Sequence, residues 1–563
     1  MTRRLTTTAA LVAAALLAGS SVAWAHAVLE ATTPLADAVL PAPPPTVTLT
    51  FDEAVALPPS ALRVFDPGGV EVDDGRVTHP PGHPDQVRVG LRAGFAQGSY
   101  TVAWRVVSAD THPVSGAWTF SVGHPSATSA AIPPPTTGSP LVSTVYWLIR
   151  AVGFASFALL VGATAVLLIC LPRPAGAVGR RVPGLAVTGW VALVLATIGT
   201  LLIQAPYGNG TGLASVLEPG SVASTLALPL GGALAARLLL LVLAAVYLGR
   251  LRRWPPAADA SGTAWLRCVG GALAVGLAAT WAVAGHAATG PEPWLAVPVD
   301  VAHLVAMAVW LGGLAALAST PRRAAPADGA ATVDDTPPGD IALRFSRVAA
   351  TCACVLLATG GYQTWRQLGG WAAFAQTGYG RVLLAKIVVV VGLLALAALS
   401  RRAVHRPAPG AADTLRRTVR AEAVIAAVVL ALTAVLVDAE PGRIVEAARP
   451  HPVHRSVDYD TGGPRGRGSL DVSVEPGLVG ANTVRLRVRG VGGAITDIPG
   501  VRASAWLPDR DLGPLPVVLR REGPGRYAGL VRLTLPGSWQ LAVTVRTSDI
   551  DQTTVRIPLD ISG

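Results

Sequence analysis

Three hydrophobic patterns follow one another along the chain. After a basic start, Met1-Thr-Arg-Arg, residues 9–19 form an apolar run, "AALVAAALLAG", and Ala23-Trp24-Ala25 follows it. A positive n-region, an apolar stretch too short to span a bilayer and an A-x-A site read as a secretory signal peptide over 1–25. Residues 26–123 then alternate in short runs broken by Pro and Gly: "TVTLTF" (46–51), "ALRVF" (61–65), "QVRVGL" (86–91), "SYTVAWRVV" (99–107) and "AWTFSV" (117–122). A period of two predicts strands, and regular turn signals between them predict an all-β sandwich. Residues 124–140, "HPSATSAAIPPPTTGSP", form a Pro/Ser/Thr linker.

The second pattern is continuous apolarity. Between 141 and 440 lie eight runs long enough to cross a bilayer, near 143–171, 184–205, 227–249, 266–285, 297–318, 345–366, 381–400 and 418–437. Alternation returns over 455–563, as in "NTVRLRVRG" and "WQLAVTVRT", and predicts a second β-sandwich. Arginines mark alternate loops: Arg173, Arg180 and Arg181 after the first run, Arg250, Arg252 and Arg253 after the third, Arg322 and Arg323 after the fifth, and Arg401, Arg402, Arg406, Arg416 and Arg417 before the last. The loops at 207–222 and 287–296 carry neither Lys nor Arg. The positive-inside rule therefore places both β-domains on the extracytoplasmic side of the cytoplasmic membrane, in agreement with the signal peptide.

Composition sharpens this picture. A chain of 563 residues that is 51% hydrophobic and 14% charged is too apolar for a soluble multidomain protein. Its net charge of +11 suggests a nucleic-acid partner, but the cations sit in short loops between apolar runs, which excludes that class. Cys170, Cys268, Cys352 and Cys354 all lie in or beside apolar runs, so no disulfide framework is expected in the exported parts.

Cleavage after Ala25 makes His26 the first residue, whose amine and imidazole can chelate one metal ion. Asp110 and His112, in "WRVVSADTHPVSG", are two residues apart and fall on one side of an extended segment. A set of nitrogen and carboxylate donors suits a divalent ion, Cu(II) above all in tetragonal geometry. The alternative is a turn aspartate before Pro113 and a surface histidine. His79, His83 and His124 read as surface histidines, and His451 and His454 as linker residues.

Ionisable groups inside apolar runs are costly and mark functional sites. His286 closes the fourth run, and Asp300 and His303 share a helix face of the fifth at a spacing of three. They are candidates for a copper path; a polar pair that pins neighbouring helices is the alternative. Arg237, Lys386 and Glu422 are further candidates. The two cations would repel copper, so pairing with carboxylates such as Asp300 is expected. Cys352 and Cys354 offer thiolates for Cu(I), but two positions on a helix point about 200° apart, so small buried hydrophobes are the expectation.

The run "HAVLEATTP" after the signal peptide, with "WRVVSADTHPVSG" before the last strand, resembles the CopC family of periplasmic copper-binding proteins. The resemblance implies a cupredoxin-like sandwich over 26–123 whose Cu(II) ligands are His26, Asp110 and His112. Some CopC proteins also hold Cu(I) in a Met-rich site; this domain retains no Met after cleavage, which implies a Cu(II)-only version. "GHAATGPEPWLAVPVDVAHLVAMAVWLGGL" and "RFSRVAATCACVLLATGGYQTWRQLGG…TGYGRVLLAK" resemble the CopD family of copper-resistance membrane proteins. The matching positions are His286, Asp300, His303, Trp310, Arg344, Ser346, Thr377, Tyr379, Gly380 and Lys386. A CopC-like head fused to a CopD-like domain resembles the YcnJ-type copper proteins of bacteria, and the C-terminal domain is loosely similar to the YtkA-like family.

The expectation is thus a multidomain membrane protein: an N-terminal cupredoxin-like all-β sandwich, an eight-helix transmembrane bundle and a C-terminal all-β sandwich. The resemblance implies capture of Cu(II) and its inward passage, with Cu(I) as a second state in the membrane domain. Its partners are copper ions, the lipid bilayer and exported copper proteins. The chain contains no Walker A motif for ATP. A non-transporting copper sensor or chaperone is the alternative. A lytic polysaccharide monooxygenase also uses an N-terminal histidine, but completes its site with a second histidine rather than an Asp-x-His pair.

Overall fold

The computed structural model describes Ala27 and residues 29–36, 38–58, 60–92, 94, 96–109, 111, 113–126, 139–171, 176–218, 220–253, 260–288, 292–319, 338–405, 411–439, 442–443, 449, 451–463, 466–510, 512–533 and 535–561. The signal-peptide region and the candidate ligands His26, Asp110 and His112 lie outside them. The chain forms two compact units, Met1–Gly442 and Arg443–Gly563.

The first unit opens with seven strands: β1 (Leu29–Thr33), β2 (Val39–Leu40), β3 (Thr46–Phe51), β4 (Leu62–Phe65), β5 (Gln86–Gly90), β6 (Gly98–Val107) and β7 (Pro113–Val122). They make two sheets, β1-β3-β5 and β2-β7-β6-β4. The alternation read from the sequence is the reason they face each other. Val47, Leu49 and Phe51 of β3 point inward between half-buried threonines, and Val102, Trp104 and Phe120 meet them from the other sheet. Phe51 and Trp104 pack edge to face with centroids 5.3 Å apart. A buried carboxylate, Asp73, accepts from the Val64 amide at 2.8 Å and the Gly75 amide at 3.0 Å, so its desolvation is offset by hydrogen bonds.

The bundle comprises α1 (Pro140–Ala165), α2 (Gly176–Asn209), α3 (Pro229–Arg252), α4 (Ala260–Ala282), α5 (Pro293–Ala318), α6 (Pro338–Leu368), α7 (Gly378–His405) and α8 (Ala411–Asp438). Among the described residues eight helices are long and apolar enough to cross a membrane, in the eight places read from the sequence. Apolar side chains alone do not hold such helices together in lipid; close backbone packing at small residues does. Here that contact is Gly162 on α1 against Gly312 on α5. A Cβ on Gly162 would lie 2.3 Å from the Gly312 carbonyl carbon, and one on Gly312 would lie 1.7 Å from the Ala158 carbonyl oxygen. Gly312→Leu is therefore expected to cost about 3 kcal/mol or more, the upper end for overpacking. It would appear as loss of the folded, monodisperse chain in detergent, whereas Gly232→Ala, at a position where a Cβ meets nothing within 4 Å, would not.

The second unit is built on β8 (Val453–Asp460), β9 (Arg467–Glu475), β10 (Gly480–Gly490), β11 (Gly500–Leu507), β12 (Leu512–Gly523), β13 (Arg526–Leu533), β14 (Gly537–Arg546) and β15 (Gln552–Ile561). They form one ladder, β15-β14-β11-β12-β13-β10-β9-β8, whose pairings are all antiparallel. β12 bends between two leaves, pairing with β11 on one side and β13 on the other. The inward residues Leu470, Val484, Leu486, Trp539 and Val543 fill a single core. His454, read from the sequence as a linker residue, lies in β8.

On this unit Asp471 accepts from Arg489 Nε at 2.7 Å and from Ser456 Oγ at 2.8 Å. The Arg489 hydrogen bond holds its carboxyl below the usual carboxylate range. A depressed folded-state value means that the stabilisation is present above the unfolded value, about 3.9. It is lost as pH falls through the folded value. Arg489→Gln is expected to flatten the acid side of the unfolding curve below about pH 4, followed by far-UV circular dichroism.

Candidate metal centre and membrane polar cluster

The described residues nearest in sequence to the head's candidate ligands are Ala27, Ala109, Thr111 and Pro113. β1 and β3 run antiparallel with Leu29 opposite Phe51. Ala27 is 3% exposed and packed into the core. The described part of the β6–β7 connection is tied to the segment that follows β3. Its strands close with Val107 opposite Pro113, Ala56 and Val107 exchange hydrogen bonds of 2.7 and 3.0 Å, and the Ala109 amide donates to Glu53 Oε1 at 3.1 Å. Between Asp110 and His112, Thr111 is buried, its amide donates to the Ser108 carbonyl at 2.9 Å, and its φ is +77°. That left-handed backbone costs a non-glycine residue about 1 kcal/mol or more, so the turn is held by its surroundings.

In the bundle, Asp300 and His303 lie on α5 and meet α6. Gln363 Nε2 donates to Asp300 Oδ1 at 2.9 Å, and His303 Nδ1 lies 2.9 Å from Thr359 Oγ1. The Thr359 hydroxyl gives its single proton to the Val355 carbonyl at 2.7 Å. Its oxygen is then open to accept from the ring, which for a neutral imidazole puts the His303 proton on Nδ1 and the lone pair on Nε2. A histidine oriented in this way by its other nitrogen is the usual state of a metal ligand. Lys386 of α7 acts electrostatically on both Asp300 and His303, and Arg366 of α6 acts on Asp300. Arg366 also donates to the His286 carbonyl at 2.7 Å, tying the α4–α5 connection to α6.

Among the described residues, no three His, Cys, Asp or Glu side chains gather closely enough to hold one metal ion. His286, Asp300 and His303 therefore do not form a three-ligand cage. Arg237 also departs from expectation. Rather than pairing with a carboxylate, its Nε donates to Thr280 Oγ1 at 2.8 Å and its guanidinium lies 3.6 Å from the centre of the Trp281 ring. A buried guanidinium can be stabilised by a π-face and a hydroxyl. Glu422 is buried and accepts from Ser400 Oγ. Cys352 is buried and Cys354 exposed, as opposite helix faces require.

Several matched motif positions have structural work. Thr377 Oγ1 accepts from the Gly380 amide at 2.9 Å, capping the start of α7. A Cβ on Gly380 would fall 2.0 Å from the Ala373 carbonyl oxygen, so glycine is required there. Tyr379 donates to Gln367 Oε1. Trp310 is buried in the main cluster of the bundle. The partners Thr359, Gln363 and Arg366 were not singled out from sequence, although polar residues spaced by four and three in the sixth apolar run are the sign of a face that meets another polar face.

Residues 29–123 match the family model for the CopC domain, and residues 339–436 match the model for Copper resistance protein D. Copper transport protein CutJ of Bacillus subtilis is 26% identical over 479 residues, 83% of this chain and 82% of its own length. Protein YobA of Escherichia coli is 35% identical over 99 residues, which cover 18% of this chain and 80% of YobA. Copper resistance protein C of Xanthomonas campestris pv. juglandis is 34% identical over 125 residues, 21% of this chain and 96% of that protein. The chain belongs to the copper resistance protein family, with its CopC and Copper resistance protein D domains joined in one polypeptide.

Proposed function

We propose that the head captures Cu(II) on the extracytoplasmic side with His26, Asp110 and His112, and that the bundle passes copper inward past His303 and Asp300. The observation that carries this reading is the His303–Thr359 hydrogen bond, which leaves an imidazole lone pair in the bundle of a chain that also carries a CopC domain. Asp300 beside it supplies negative charge for a cation, and Lys386 and Arg366 balance that charge when no cation is there. One nitrogen and one carboxylate are too few to trap the ion, which suits a point of passage. The positive-inside pattern supports the sidedness, with both β-domains outside the cytoplasmic membrane. Copper is the cargo; Cu(II) is the state expected in the head, and Cu(I) is the second state expected in the bundle.

The second reading is a copper sensor or a chaperone that supplies exported copper proteins. Cellular copper separates the two. Under import, cells expressing the chain accumulate more copper than cells lacking it, and the difference disappears with His303→Ala. Under the sensor or chaperone reading, cellular copper is unchanged while exported copper proteins lose or gain metal.

A further inference from the structure

We infer that Gln204 and Arg105 form a clamp through which the membrane domain holds the turn carrying Asp110 and His112. Cu(II) binding in the head and the packing of α1 against α2 then become one coupled equilibrium. The inference rests on the reading that Asp110 and His112 are copper ligands.

The clamp has two jaws. Gln204, near the end of α2 and 1% exposed, donates from Nε2 to the Thr111 carbonyl at 3.4 Å. Thr111 is the residue between the two candidate ligands in the sequence, and its carbonyl is the point at which the bundle holds that turn. Arg105, on β6, donates from Nε to the Gly208 carbonyl at 2.8 Å and from Nη2 to the Tyr207 carbonyl at 3.3 Å. The two surfaces meet closely: a Cβ on Gly208 would lie 3.2 Å from Val107 Cγ2.

Gln204 is itself fixed from the bundle. Tyr146 of α1 donates its hydroxyl proton to Gln204 Oε1 at 2.9 Å, which settles the amide's orientation with Nε2 toward Thr111. Tyr146 stacks on Tyr207 with centroids 4.2 Å apart and planes 9° apart. Arg150, one turn further along α1, reaches the Tyr146 hydroxyl at 3.5 Å. A polar thread thus runs from the ligand turn through α2 into α1. Arg105 and Arg150 are cations at its two ends, so the thread is unsuited to carry copper. It links positions: a turn that holds copper favours the clamped geometry, and by reciprocity the clamp favours copper. Gln204 and Arg105 are both positioning residues: Gln204 acts through Thr111, and Arg105 acts by tying β6 to the Tyr207 and Gly208 carbonyls.

The test uses the full chain in lipid nanodiscs, titrated with Cu(II) and followed by electron paramagnetic resonance. Gln204→Glu keeps the side-chain shape but loses the donor to Thr111. Tyr146→Phe removes only the hydroxyl that orients Gln204. Both are expected to weaken Cu(II) binding roughly fivefold or more, the lower range of allosteric couplings. Both should also shift the copper hyperfine splitting, because the ligands are re-aimed. Cu(II) should slow amide exchange over residues 204–210 in the unaltered chain and not in Gln204→Glu. Unchanged spectra and affinity in both variants would overturn the inference while leaving the head site intact, provided that an extra residue before His26 still weakens binding. If the unaltered chain shows no Cu(II) signal that depends on its terminus, the inference and the reading beneath it both fall.

Discussion

One extra residue ahead of His26 is expected to weaken Cu(II) binding by the mature chain at least about 100-fold. Loss of an outer-sphere partner alone costs roughly 10–100-fold, and this change removes a direct donor. An added residue turns the terminal amine into an amide, a poor donor, and breaks the chelate ring that amine and imidazole form on one ion. Asp110→Ala and His112→Ala each remove one further donor and should reduce affinity to a similar degree. The check is a competition titration against a chelator of known affinity. His79→Ala and His83→Ala should bind as the unaltered chain does.

The second large effect concerns the bundle. His303→Ala and Asp300→Asn should each reduce copper passage by roughly tenfold or more, with the head's Cu(II) spectrum unchanged. His303→Ala removes the Nε2 lone pair. Asp300→Asn keeps the size and an oxygen acceptor for Gln363 but removes the negative charge that a passing cation meets. Thr359→Val leaves His303 in place and frees its tautomer, so it should reduce passage less than His303→Ala; serine at 359 should restore it. A purely structural role for Asp300 predicts that Asp300→Asn lowers passage and the folded, monodisperse fraction in detergent together, because Lys386 and Arg366 lose their counter-charge; the account predicts lost passage in a chain that still folds.

The parts of this molecule that were legible in the sequence are those fixed by local periodicity. Apolar runs of bilayer length became the eight spanning helices, and alternation in "TVTLTF" became a strand with Val47, Leu49 and Phe51 inward. What periodicity does not contain is which helix meets which. Arg237 was expected to seek a carboxylate; it found Thr280 and Trp281 on the neighbouring α4. Gly162 and Gly312 are unremarked among the chain's 60 glycines until α1 and α5 cross there. Gln204 is one polar letter in "LLIQAPYG", and its importance depends on a turn almost a hundred residues earlier that no spacing rule connects to it. Asp300 and His303 could be singled out as costly groups in an apolar run. Their partners are neutral and cheap to bury, and so went unnoticed.

The most direct test of inward passage is copper flux into sealed vesicles containing the full chain, with Cu(II) and a reductant supplied outside. The account predicts that copper accumulates inside vesicles carrying the unaltered chain, and that His303→Ala lowers it to the level of empty vesicles. Empty-vesicle levels for the unaltered chain, with the head still binding Cu(II) through its terminal histidine, would contradict passage and leave a copper-capturing protein that does not transport.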